Sequence, residues 1–108
     1  MWVSDNVKRD FENRLQNMLR NIMNTHIEFI SIGVFGSYAR DEYKATSDID
    51  ICVIVKGLPP REIKGWLYED ADILNIDLIF VTEDYFQNDN SRFASNLRRD
   101  FKEVSLID

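Results

Sequence analysis

Two short apolar runs, DIDICVIV at 48–55 and NIDLIFV at 75–81, decide which architectures are open to this chain. Both are short, β-branched and bounded by polar stretches, so both read as strands. Between them lies LPPREIKGWLYEDADIL. Pro59 and Pro60 are placed to start a helix, and Ile63, Trp66, Leu67, Ala71 and Leu74 form its apolar side from about Arg61 to Leu74. A helix between two strands is long enough to be a crossover.

The rest of the chain falls in around this unit. Residues 4 to 24 read as an amphipathic helix capped by Ser4 or Asp5, with Val7, Phe11, Leu15, Met18, Leu19 and Ile22 on one stripe. Residues 27 to 35, IEFISIGVF, read as a first strand. GSYARDEYKATS, which follows, is polar and short. TEDYFQNDN after residue 81 reads as turn-rich. Ser91 caps a last helix with Phe93, Leu97 and Phe101, and the tail VSLID supplies a short strand. The expected fold class is α/β (α+β), a small mixed sheet with helices packed on it, in one domain spanning 1–108.

Strand parity carries the chemistry. Successive side chains point to opposite faces, so Asp48, Asp50, Cys52 and Ile54 share one face of their strand. Two carboxylates then project together, roughly 6.6 Å apart along the backbone, at the start of an apolar face. They repel unless one keeps a proton or a cation lies between them. The later strand repeats the pattern, with Asp77, Ile79 and Val81 on one face. A lone Asp at a strand start is ordinary surface chemistry. If the two strands are neighbours, three carboxylates converge, and with no His or Cys beside them they suit Mg²⁺ or Mn²⁺ rather than zinc.

Gly36-Ser37 follows the first strand directly. Glycine permits a tight turn and close approach by a ligand. Ser37 can cap a short helix beginning at Tyr38, leaving N–H groups facing an anion.

GSYARDEYKATSDIDICVIV, with Gly36-Ser37, ten residues, and then Asp48-Ile49-Asp50, resembles the signature of the DNA polymerase beta-like nucleotidyltransferase superfamily. It is most similar to the minimal nucleotidyltransferases, and Asp77 falls where that family has its third carboxylate. The resemblance covers essentially the whole chain and implies the nucleotidyltransferase fold. It implies that Gly36 and Ser37 cradle a triphosphate, with Arg40 as a further phosphate contact. It implies that Asp48, Asp50 and Asp77 are the catalytic carboxylates and hold two Mg²⁺ or Mn²⁺ ions, with ATP as nucleotide donor. Asp77 would also help deprotonate the acceptor hydroxyl. The chain departs from the family at Asp41, where relatives often carry Gly. Asp41 adds negative charge beside the site, which Arg40 and Lys44 could offset.

The resemblance also implies a partner, a HEPN-type toxin that receives AMP. Two other functions stay open: an antitoxin-like module that acts by complex formation, and transfer to a small molecule such as an aminoglycoside. A homo-oligomer also stays open. The chain carries 13 Lys and Arg against 19 Asp and Glu, a formal charge of −6. That balance argues against general nucleic-acid binding, because phosphates are repelled on average. No apolar stretch reaches the ~20 residues that span a bilayer, and charges interrupt the N-terminus before a signal peptide's apolar region could form, so the expected location is cytoplasmic without membrane contact. The single cysteine, Cys52, excludes an intrachain disulfide and reads as a buried hydrophobe. His26 and Trp66 read as structural, Trp66 as core and Trp2 as uninformative. Arg92, Arg98, Arg99 and Lys102 read as a solvated basic face of the last helix.

Overall fold

The computed structural model describes residues 4–107. Trp2 and the last residue of the VSLID tail lie outside that range. The chain begins with α1 (Asp5–Asn24), where Ser4 Oγ accepts a hydrogen bond from Val7 N at 3.2 Å and so caps the helix. Then follow β1 (Ser31–Phe35), the single turn α2 (Gly36–Ala39), β2 (Ile49–Val55), α3 (Arg61–Ile73) and β3 (Ile76–Thr82). The last part holds α4 (Glu83–Asn88), α5 (Arg92–Asp100) and β4 (Lys102–Glu103).

The four strands form one mixed sheet in the order β3-β2-β1-β4. β2 and β3 are parallel and joined through α3, while β1 is antiparallel to both β2 and β4. One face carries the larger core. There Ile49, Ile51, Val53 and Val55 of β2 meet Ile76 and Leu78 of β3 under the buried stripe Phe11, Leu15, Met18, Leu19 and Ile22 of α1. Leu67 and Ala71 of α3 complete it. Arg14 ties the two long helices together. Its guanidinium lies 4.3 Å from the Phe11 ring centre and donates to Leu74 O at 3.3 Å, a cation set against the carbonyl end of α3.

The opposite face carries a smaller cluster of Cys52, Ile54, Val81 and Leu97, flanked by Phe35, Ile79, Tyr85, Phe86 and Phe101. Burial pushes the Cys52 thiol up to about 12, so it packs as an apolar group. This second layer is thin, and the carboxylates stand at its open end.

Four expectations change. β1 starts at Ser31, not residue 27. Its ladder with β2 ends at Ser31↔Ile54, with one further bond from Ile30 N to Ile54 O at 2.7 Å. Beyond that point Lys56–Pro60 leaves the sheet for α3, and the two prolines offer no N–H to a neighbour. TEDYFQNDN is largely helical: Thr82 Oγ1 accepts from Tyr85 N at 3.1 Å, and Glu83 and Asp84 sit in the first turn of α4, where acids favour a helix. Trp66 is 60% exposed rather than core, because it lies to one side of the Ile63–Leu67–Ala71 stripe. The last strand is Lys102–Glu103, the two residues immediately before the VSLID tail, and not the tail itself. Phe101 lies over Gly33, where any Cβ would overlap its ring, and this fixes where the chain rejoins the sheet. No helix among the described residues is long and apolar enough to cross a membrane.

Candidate active site

The β2–β3 ladder sets Asp50 directly opposite Asp77. In a parallel pair, residues in register point to the same face about 4.8 Å apart. Across β2 the neighbour of Asp50 on β1 is Phe35. Asp50 is half-buried between an aromatic ring and a second carboxyl, while Asp77 is exposed on the edge strand. Asp48 has the parity of Asp50, lies one residue before β2, and is exposed.

The electrostatics follow. Burial pushes the Asp50 carboxyl up to about 6. The charge of Asp77, a hydrogen bond between those two carboxyls, and the charge of Asp48 push the same way, and only Arg40 opposes them. A proton therefore does for the pair what a cation would do. The donor set is all oxygen and anionic, which fits a hard divalent ion. Among the described residues no three His, Cys, Asp or Glu side chains are gathered as a formed metal cage. Asp50 and Asp77 touch, and Asp48 stands at the mouth.

Gly36 closes the other side. It turns the chain straight from β1 into α2 with φ +70°, and a Cβ there would overlap Asp50 Oδ2. Only glycine combines that backbone with that contact. The helix begins at Gly36 itself, so Ser37 is its second residue and not its cap; Phe35 occupies the cap position without a side-chain hydrogen bond. The strand runs into the helix with no linking residue, which is why the expected Ser37 cap is displaced. Tyr38 turns away from the carboxylates and stacks on Phe11 at 5.6 Å, anchoring α2 to the main core.

Asp41 explains itself at the other end of α2. Its φ is +60°, its N–H bonds Tyr38 O at 3.1 Å, and Glu42 N bonds Ser37 O at 2.9 Å. Those two bonds make a Schellman motif, whose left-handed residue is most often glycine. The position thus selects for backbone freedom, and Asp is among the few other residues that tolerate it. Asp41→Gly is expected to stabilise the protein by about 0.5 kcal/mol, the relief of strain being partly offset by a freer unfolded chain. A thermal melt should move up by about 2–4 °C. A lower melting temperature would show that Asp41 does something the backbone does not require.

Arg40 is engaged. Its Nη1 donates to Asp100 Oδ2 at 2.7 Å and its Nε to Glu42 Oε2 at 3.3 Å. Asp100 also takes two hydrogen bonds from Arg99, at 3.0 and 3.3 Å. Nothing in the sequence points to Asp100, an ordinary acid beside two arginines and sixty residues from Arg40. The expected basic face of the last helix also breaks up. Arg98 is turned inward, donating to Phe86 O at 2.7 Å and Asp89 O at 2.9 Å, and Lys102 belongs to β4. His26 is the left-handed residue after α1, with φ +57° and its N–H on Met23 O, a structural role. A cleft of about 620 Å³ lined by Ile27–Ile30 and Lys56–Leu58 lies at the far end of β2, away from the carboxylates.

Comparison with known proteins bears on the family and the fold. Residues 17–104 match the family model described as nucleotidyltransferase domain. A protein of Methanocaldococcus jannaschii provisionally named protein adenylyltransferase MJ1217 is 34% identical over 73 residues, covering 64% of this chain and 71% of its own. A second from that organism, provisionally named protein adenylyltransferase MJ1215, is 47% identical over 55 residues, covering 49% of this chain and 63% of its own. Among solved structures, a provisionally named nucleotidyltransferase from Sulfolobus solfataricus superposes with TM-score 0.60 at 20% identity, over 95% of this chain and 89% of that one. A chain from a toxin–antitoxin complex with AMP-PNP gives TM-score 0.56 at 22% identity, over 89% and 73%. A chain from a mutant of the toxin–antitoxin pair MntA–HpeT gives 0.53 at 20% identity, over 89% and 73%. These structural likenesses are likenesses of fold, and the mixed sheet described above is that fold. With the family model matched over most of its length, this chain belongs to the nucleotidyltransferase domain family.

Proposed function

We propose that this chain is a metal-dependent adenylyltransferase that moves AMP from ATP to a hydroxyl on a partner protein, a HEPN-type toxin, in the cytoplasm. The observation that carries the reading is the in-register pair Asp50 and Asp77 beside the Gly36 turn. The names of the two Methanocaldococcus relatives support a protein acceptor. The fold neighbours crystallised as toxin–antitoxin complexes, one with AMP-PNP, support a toxin as partner and an adenine nucleotide as donor.

Asp48, Asp50 and Asp77 would hold Mg²⁺ or Mn²⁺. Two such ions would supply positive charge to the triphosphate and to the entering and leaving oxygens of an in-line displacement. The chain's own residues do the rest. The Gly36–Ser37 turn offers backbone N–H groups and a hydroxyl to phosphate oxygens, and Arg40 adds positive charge nearby. Asp77, exposed on the edge strand, can accept the proton of an incoming hydroxyl. The acceptor oxygen then bonds to the α-phosphorus, and the bond from that phosphorus to pyrophosphate breaks. Exposed carboxylates at Asp48 and Asp77 leave room for a macromolecular acceptor.

The test incubates the protein with Mg²⁺, ATP labelled at the α-phosphate, and the product of the neighbouring gene, with RNA and an aminoglycoside in separate reactions. The expected result is label on the partner protein and a mass gain of one AMP. Label on RNA or the antibiotic alone would reject the protein acceptor. A tight complex with no transfer anywhere would favour a binding module.

A further inference from the structure

Asp100 is the single buried charged side chain among the described residues, 8% exposed, and it occupies an unfavourable place. It is the last residue of α5, where the helix dipole repels an anion. Two arginines offset that cost. The Arg99 guanidinium first, with Arg40 beside it, holds the Asp100 carboxyl below the usual carboxylate range. Arg99 is its immediate neighbour and mostly exposed. Arg40 comes from far away in sequence and is the residue that ends α2.

We infer that Asp100 is a positioning residue for nucleotide binding, acting through Arg40 to hold the α2 turn against α5 and aim one positive charge at the triphosphate site. The inference rests on the nucleotide-binding role proposed above. Two observations support it. The 2.7 Å contact between Arg40 Nη1 and Asp100 Oδ2 is the shortest ion pair among the described residues. Arg40 follows directly on the turn that starts at Gly36, so the same four-residue helix is anchored by Tyr38 on one side and by Arg40 on the other. With Nη1 on Asp100 and Nε on Glu42, the Arg40 guanidinium keeps its Nη2 N–H donors for a phosphate oxygen.

The experiment measures Mg²⁺-ATP binding by calorimetry, steady-state KM and kcat, and melting temperature. It compares the parent with Asp100→Asn, Arg40→Gln, their double variant and Arg99→Gln. Asp100→Asn is expected to weaken ATP binding on the order of tenfold, as misplacement of a binding group does. KM should rise in step while kcat stays within about twofold. Arg40→Gln should behave alike, and the double variant no worse than the poorer single, because both remove one unit. Arg99→Gln should leave ATP affinity at the parental value. A loss of melting temperature in Asp100→Asn with parental ATP affinity would overturn the inference and leave Asp100 a structural latch. Independent, multiplying effects of the two single variants would overturn it as well. If Asp100→Asn does not fold, Arg40→Gln decides, since parental ATP affinity there leaves Asp100 nothing to position. A parent that binds no ATP would overturn the proposed function itself, an outcome distinct from each of these.

Discussion

Replacing Asp50 with Asn is expected to abolish transfer and, with chelator present, to make the protein more stable. The loss of transfer should be on the order of a thousandfold or more, because the carboxylates act as a unit. The gain in stability comes from the same side chain. Folding raises the Asp50 carboxyl to about 6, well above the ~4 of an unfolded chain. The folded state therefore binds this proton more tightly. Its contribution to stability is fully present below about pH 4 and is lost as pH rises through about 6. At neutral pH the group is a liability of about 1–2 kcal/mol, once the raw shift is discounted for the solvent that reaches a half-buried side chain. Urea melts of parent and variant in chelator at pH 5 and pH 8 check this. The variant should be the more stable at pH 8, and the difference should shrink toward pH 5. A pH-independent difference would remove the Asp50–Asp77 repulsion from the account. Full activity in the variant would remove Asp50 from the chemistry.

Gly36→Ala is expected to cost about a tenth as much transfer, by a different route. A Cβ at this left-handed residue costs about 1–2 kcal/mol in backbone strain, reduced by up to about 1 kcal/mol through the stiffer unfolded chain. The larger effect is local, because the new methyl group overlaps Asp50 Oδ2. Either the carboxylate swings away or the turn lifts, and transfer should fall on the order of a hundredfold. Gly57→Ala is the control, since a Cβ there meets nothing within 4 Å. Transfer rates and thermal melts of the two variants separate the effects. Parental transfer in Gly36→Ala would mean the close approach of turn and carboxylate is not required.

The carboxylates could be found in the sequence because strand parity is local. Asp50 and Asp77 each head an apolar run of period two, and a helix between the runs brings those runs side by side. Gly36 was legible for a related reason: a glycine where a strand must turn sharply. α4 is not, because six residues with only Tyr85 and Phe86 facing the core are too few to show a helical period, and its one capping signal is Thr82 before two acids. Trp66 falls outside the core because a single side chain beside a narrow stripe can lie on either side of its boundary. Asp100 was invisible for a deeper reason. Its partner Arg40 is distant in the chain, and only the packing of α2 on α5 joins them. Local patterns report which face a residue takes, whereas pairs that span elements need the fold.

The distance between Asp50 and Asp77 is set by the main chain. The two residues are rungs of one parallel ladder running unbroken from Ile49↔Ile76 to Val55↔Thr82. Sliding β3 by one residue would turn Asp77 to the far side of the sheet, and sliding it by two would carry it roughly 6.6 Å along the strand. No intermediate setting exists. Lengthening or shortening the chain between Lys56 and Asn75 therefore cannot adjust the site by degrees: as long as the ladder re-forms in register the pair returns to the same spacing, and any other register dismantles it. Such a site tolerates drift in its surroundings while its own dimensions stay fixed, with Asp48, which precedes the ladder, left as the one carboxylate whose position can vary continuously.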